Sequence, residues 1–149
     1  MCPKTHLLAA RYAMASRLPA EILDDVLELM STEHQLLSES VDRITSAIAS
    51  QDLPIIRREL LHLQSSEQIH FRHEEEVMER CNYPSLVSHK DQHSAMAKVL
   101  SSVIRLVVVE KLRNISDDLG KYLERSLRHA LEHDNDFRDF LLKLREYAG

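Results

Sequence analysis

The 149-residue chain is poor in the residues that favour strands, tight turns and crosslinks. It has no tryptophan, aromatic residues make up 5% of it, and it has two glycines and four prolines. Strands favour aromatic and β-branched residues and tight turns favour glycine and proline, so this composition predicts helices joined by few turns. Its two cysteines, Cys2 and Cys81, are too few for a disulfide framework. We therefore expect free thiols in a reducing cytoplasm.

Two further absences concern partners. The formal net charge is −5 and the isoelectric point is near 6.0, so no basic surface is expected for neutralising phosphates, and nucleic acid is not an expected partner. No apolar run approaches the roughly 20 residues that a membrane-spanning helix needs. Near the start, Arg11 interrupts the only stretch that resembles a signal peptide. We expect residues 1–17 to be a retained helical segment.

Helical periodicity is abundant in the rest of the chain. Apolar residues recur in steps of three or four over four segments, which run through residues 23–48, 56–81, 86–107 and 119–144. Asp52 is a plausible helix N-cap with Pro54 in the first turn after it, and residues 82–84 carry a turn signal. The chain is long enough for one domain with its own core. We predict an all-α, up-down-up-down four-helix bundle over residues 18–149.

Polar residues interrupt the stripes that should be buried. His34 breaks the first stripe, and Glu67, His70 and Glu74 follow one another on the second. Burying such groups without partners would cost several kcal/mol, which indicates a bound ion or a polar network.

The spacing of these residues indicates metal ligation. His70 and Glu74 are four apart, as are His89 and His93, and residues four apart lie on one face of a helix. The two pairs flank the predicted turn, so two helices joined by a turn would supply half of a metal site. His34 and His70 each lie about 16 residues from the first turn, which places them at one level of a bundle.

The fourth segment offers two alternatives. His129 and Asp134 are five apart and differ by about 140° around a regular helix, whereas His129 and His133 share a face. One or both of His133 and Asp134 would complete the set. Five imidazoles with one or two carboxylates exceed what one tetrahedral zinc site uses, and they suit a pair of iron or manganese ions.

These segments resemble the hemerythrins, especially the single-domain bacterial members. HFRHEEEVM is similar to the family's His-Phe-x-x-Glu-Glu-x-x-Met segment, and YPSLVSHKDQH is similar to its Tyr-Pro turn followed by H-x3-H. HALEHDNDF is similar to the closing H-x4-D with an aromatic residue three positions later. His34, in EHQLL, stands where the first-helix ligand belongs. The resemblance covers residues from about 30 to 141.

The resemblance implies a cofactor of two iron ions with an oxo or hydroxo bridge from solvent. One iron would be held by His89, His93 and His129, and the other by His34 and His70 only. Glu74 and Asp134 would bridge the two. The second iron would then be one ligand short, and the family binds O2 reversibly at that open position, without a protein general base. We therefore expect an oxygen carrier, store or sensor rather than an enzyme.

We choose Asp134 over His133, because a two-metal site requires a second bridging anion and a local π-bulge would place Asp134 on the same face as His129. His133 is then an outer or solvent-facing residue. The chain departs from the family in two places: a helical lead-in replaces the aromatic-rich N-terminal arm, and Arg125 stands where tryptophan is frequent. The lining of the O2 pocket is therefore not implied.

Other functions remain open at this level. A ferritin-like di-iron oxidase or peroxidase would use paired E-x-x-H motifs, of which only Glu67 with His70 is present. A metal-dependent signalling module is a third possibility. Besides O2, the candidate ligands include NO and other small molecules, and the oligomeric state is open.

The remaining polar residues have more ordinary interpretations. Glu67 is either an acceptor for an imidazole N–H or a boundary residue with its carboxylate in water. Five others are assigned to the surface or to a solvated face, namely His6, His62, His73, Glu75 and Glu76. Met96 and Leu100 are predicted core residues that also suit the lining of an O2 pocket.

Overall fold

The computed structural model describes residues 18–108 and 115–148, and these residues are almost entirely helical. Five α-helices and one π-helical segment follow one another: α1 Ala20–Ala49, α2 Leu53–Arg80, α3 Leu86–Val108, α4 Ile115–His129, the π segment Ala130–Asp134, and α5 Asn135–Ala148. The last three are continuous and together form the fourth helix of a bundle. The predicted segment 1–17 lies outside the described residues.

Local sequence explains where the helices begin and end. Pro19 lies just before α1 in an extended conformation, and Asp52 caps α2 by accepting a hydrogen bond from the Ile55 backbone N–H at 3.2 Å. The predicted N-cap is thus confirmed. After α2, Asn82 adopts a φ of 51°, a left-handed conformation that asparagine tolerates better than most residues. The predicted turn at residues 82–84 is confirmed.

The packing closes a four-helix bundle. α1 packs on α2, α2 on α3, α3 on α4, and α5 returns to α1. Buried apolar residues form two clusters: one includes Ile44, Leu60, Leu100 and Leu119, and the other includes Leu23, Met78, Phe137 and Leu141. The predicted all-α bundle is confirmed. None of the described helices is long and apolar enough to cross a membrane.

The order of the two clusters along the chain shows the up-down topology. α1 runs from the Leu23 cluster to the Ile44 cluster, and α2 runs back in the opposite direction. α3 repeats the direction of α1, and the fourth helix repeats that of α2. On every helix the polar residues singled out above fall between the two clusters. These residues therefore form a polar middle layer between two mainly apolar ends.

Candidate metal centre

The seven predicted ligands converge in the middle layer of the bundle. They form two overlapping groups, each with ligand atoms within 4.8 Å of one another: Glu74, His89, His93, His129 and Asp134 in the larger group, and His34, His70, Glu74 and Asp134 in the smaller. Both groups contain Glu74 and Asp134. The structure thus brings together every residue of the predicted set, in the division that the resemblance implied.

The helical spacing places these side chains. His70 and Glu74 are one turn apart on α2, and His89 and His93 are one turn apart on α3. Six of the seven residues are buried, and only His34 is partly exposed. Residues four apart on two facing helices therefore direct four side chains into the same layer.

The π segment brings Asp134 into the site. A π-helix forms hydrogen bonds between residues five apart instead of four apart, so residues five apart come closer to one face than in an α-helix. Asp134 is buried, and its Oδ1 lies 2.9 Å from Nε2 of His129. His133 remains more than one-third exposed. The predicted π-bulge is confirmed, and His133 lies at the edge of the site.

The distances between ligand atoms fit a metal centre. Nε2 of His89 and of His93 lie 3.0 and 3.1 Å from Glu74 Oε2, and Nε2 of His34 lies 3.2 Å from Asp134 Oδ2. At ligand bonds of about 2.1 Å, neighbouring ligands of an octahedral ion are about 3.0 Å apart. The observed separations therefore suit atoms that share a central ion.

Three buried atoms support the same conclusion. Glu74 Oε1, His93 Nε2 and Asp134 Oδ1 have no hydrogen-bond partner among the described residues. A buried polar atom without a partner is costly, and native structures contain few of them. All three belong to the larger group and are chemically suited to bind a metal ion. The donor set therefore fits a metal better than a purely hydrogen-bonded network.

Electrostatics in the layer favour ionised carboxylates. Burial would raise the pKa of Glu74, but the adjacent imidazoles of His89 and His93 outweigh it and lower the pKa to about 2. Burial likewise opposes ionisation of Asp134, yet the adjacent imidazoles of His129, His34 and His89 hold its pKa well below the usual range. Two permanent negative charges in the interior require nearby positive charge.

A comparison with protein families agrees with this geometry. The family model described as the hemerythrin HHE cation binding domain matches residues 25–147. The chain belongs to the hemerythrin family. A search of curated proteins and a search of solved structures each gave no match. The cation-binding description of the hemerythrin domain and the clustered histidines and carboxylates together support metal binding.

Three residues of this hemerythrin site were missed in the sequence. Nδ1 of His70 donates to Glu33 at 2.9 Å, Nδ1 of His93 donates to Glu75 at 2.8 Å, and Nδ1 of His129 donates to Gln92 at 2.8 Å. A carboxylate or amide oxygen only accepts, so each Nδ1 carries the proton and each Nε2 is left as a metal-binding lone pair.

One surface prediction was wrong. Glu75 was assigned to a solvated face, but its carboxylate faces His93 and is largely covered. His73 lies at the surface as predicted, with 39% of its side chain exposed, and its ring is hydrogen-bonded to Glu33. The predictions that His62 and Glu76 are exposed are confirmed. His6 lies outside the described residues.

Both interpretations of Glu67 need correction. Its side chain is buried rather than at a wet boundary, and it accepts a hydrogen bond from the Tyr122 hydroxyl rather than from an imidazole. Burial is the main cause that raises the pKa of Glu67 to about 7, against the opposing effect of the Tyr122 hydrogen bond. Tyr122 lies on α4, so its distance in sequence gave no signal for this pair.

A cavity of about 300 Å³ adjoins the smaller ligand group. His34, His70 and Asp134 form part of its wall, and most of the rest is apolar, with Leu37, Val41, Leu63, Phe71, Met96 and Leu123. Met96 and Leu100 are buried core residues as predicted, and of the two only Met96 lines the cavity. Arg125 is exposed to solvent.

Proposed function

We propose that the chain is a non-haem di-iron protein that binds O2 reversibly, as a carrier, store or sensor. The observation that carries the proposal is the inequality of the two ligand groups, five residues against four, with two shared carboxylates. The smaller group also adjoins the apolar cavity. One metal position would thus have five protein ligands and the other four, so the second would keep a place for a small ligand beside a space that suits an apolar gas.

The proposed ligands have distinct roles. His89, His93 and His129 would hold one iron, and His34 and His70 the other. Glu74 and Asp134 would lie between the irons, where their negative charges offset the repulsion of two cations. When bound, a ferrous pair supplies the electrons and the open coordination position for O2. The protein supplies fixed imidazoles and a wall that limits access of water.

We propose no enzymatic activity for this site and O2 as its principal ligand, with NO and other small molecules as further candidates. Imidazoles dominate the donor set, whereas ferritin-like oxidases use glutamate-rich sites with paired E-x-x-H motifs. Glu67, the acid of the one such motif, is instead bonded to Tyr122. Because Cys81 is a free, buried thiol, we place the protein in a reducing cytoplasm.

The test is metal content together with visible spectra through an oxygenation cycle. The expected result is about two irons per chain and a band that appears with O2 and fades when O2 is removed. His89→Ala should lose both, whereas His62→Ala, at an exposed position of α2, should retain both. One zinc per chain and no oxygen-sensitive band would refute the proposal, and catalytic consumption of O2 would favour the oxidase alternative.

A further inference from the structure

The cavity beside His34 and His70 is larger than a diatomic ligand needs. Its volume of about 300 Å³ lies at the lower end of the range for small-molecule pockets. An apolar protein cavity of about 150 Å³ is already large enough to bind benzene. The space therefore suits a ligand with one ring more readily than it suits O2 alone.

The wall combines apolar surface with one buried polar pair. Phe71 presents an aromatic ring, and the aliphatic residues named above supply most of the remaining surface. Glu67 and Tyr122 also line the cavity, and both are at least 97% buried, since their exposed fractions are 3% and 1%. Ser126 continues this polar strip toward the half-buried surface of α4 and hydrogen-bonds Tyr122.

The chemistry of this pair selects a hydroxyl group. A hydroxyl both donates and accepts, so it can pair with the Glu67 carboxyl in either protonation state and with the Tyr122 oxygen. A pure hydrocarbon would leave the buried carboxyl with Tyr122 alone, and an anion would be repelled by an ionised Glu67. A single hydroxyl on an apolar ring therefore satisfies both parts of the wall.

We propose that this cavity binds a small monocyclic phenol or alcohol, with its hydroxyl on Glu67 and Tyr122 and its ring against the apolar wall. Such a ligand would lie next to His34 and His70 and would restrict access to the smaller ligand group. The inference rests on the protein wall and not on the proposed O2 function. A hydroxylated ring would thus compete with any small ligand that reaches the site through the cavity.

Calorimetric titration of the purified full-length protein with phenol, and separately with benzene, tests the proposal. Phenol should bind at concentrations below about 10 mM and at least roughly fivefold more tightly than benzene, as expected for one additional hydrogen bond. Glu67→Leu should remove this preference for phenol, and Glu67→Gln, which can still hydrogen-bond a hydroxyl, should retain most of it.

A second pair of variants tests the location. Val41→Phe, which fills the cavity, should weaken both phenol and benzene at least about tenfold. Val87→Phe is the matched control at a position that is 75% exposed, and it should leave both affinities unchanged. If circular dichroism shows that Val41→Phe does not fold, Ser126→Phe on the half-buried wall takes its place.

No phenol binding to folded wild-type protein, or equal binding by the cavity-filling variant, would overturn the inference. Calorimetry with phenol does not depend on oxygen spectra, so the phenol-binding result could still be interpreted if the di-iron proposal failed. Conversely, O2 binding without phenol binding would leave the proposed function intact and refute this ligand.

Discussion

Three of the candidate ligands are fixed by hydrogen bonds on the side of the ring that faces away from the site. Nδ1 of His70, His93 and His129 each donates to an oxygen of Glu33, Glu75 or Gln92. These bonds set the tautomer and the ring orientation before any metal binds. A metal site built this way loses little entropy on binding, because its imidazoles are already aligned.

Removal of one outer acceptor should weaken the site without removing a ligand. We expect Glu75→Ala to lower metal affinity about 10- to 100-fold, since the His93 ring would be free to rotate and to change tautomer. Competition with a coloured chelator measures this affinity. Glu75→Gln retains an acceptor and should lose less, and the exposed Glu76→Ala should lose nothing. Equal affinities in Glu75→Ala and Glu76→Ala would contradict the role assigned to Glu75.

The two candidate residues of the fourth helix should differ clearly. Asp134→Asn removes a carboxylate that two groups share, so we expect it to lose at least one of the two metal ions. His133→Ala removes a ring at the edge of the site and should retain both. Metal analysis after gel filtration measures the stoichiometry. A metal loss in His133→Ala that matched the loss in Asp134→Asn would show that His133 is a ligand as well.

The ligands could be predicted at this scale because they break an apolar stripe. His70 and Glu74 occupy positions where periodicity demands leucine or valine, and that conflict is visible in the sequence. Glu33 and Glu75 sit instead beside a ligand, on the flank of the helix where charged residues are normal. Their carboxylates are covered because they hydrogen-bond histidines of a neighbouring helix. No local pattern could therefore distinguish Glu75 from the exposed Glu76.

At the scale of the elements, the π segment Ala130–Asp134 is the feature that regular periodicity does not provide. Helix bounds elsewhere followed from apolar steps, a cap at Asp52 and a turn at Asn82. In a regular helix, His133 rather than Asp134 would share a face with His129. The π-bulge was predicted from the need for a second bridging anion. The helix propensities of these residues do not by themselves favour a π-bulge over an α-helical turn.

Deletion of one residue from the π segment should therefore spare both the fold and the site. Without Leu131, whose side chain is largely exposed, the segment can close as a regular helix. His129 and Asp134 would then be four apart in an α-helix and would again share a face, and the flanking helices would keep their orientation because only the extra residue of the bulge is removed. We expect metal binding and helicity to be retained, measured by metal analysis and circular dichroism.

Leu131→Ala is the control for that deletion, since it keeps the chain length and removes only an exposed side chain. It should bind metal as the wild type does. Loss of metal by the deletion variant alone would show that a regular helical turn cannot replace the π segment in bringing Asp134 and His129 together.

At the scale of the whole molecule, a polar layer lies between two apolar clusters. The clusters supply the hydrophobic stability, and the layer places charges where their desolvation is costly. Without a metal, imidazoles and carboxylates must stabilise each other. Burial would lower the pKa of His89, but Asp134 and Glu74 outweigh it and raise the pKa to about 9.

The metal-free protein should consequently be most stable at about pH 6. His89 contributes stability that is complete below its ordinary pKa of 6.5 and is lost as the pH rises through about 9. Glu74 and Asp134, with lowered pKa values, contribute stability above their ordinary values that is lost in acid. The lowered pKa of buried His129 adds to the loss of stability in acid.

Thermal unfolding of chelator-treated protein between about pH 3 and 10 measures the loss of stability in acid and in alkali. His89→Gln should reduce the loss in alkali. A stability that kept rising through pH 9 would show that His89 is not charged in the metal-free fold, so the layer would have to be held together by some means other than its ion pairs.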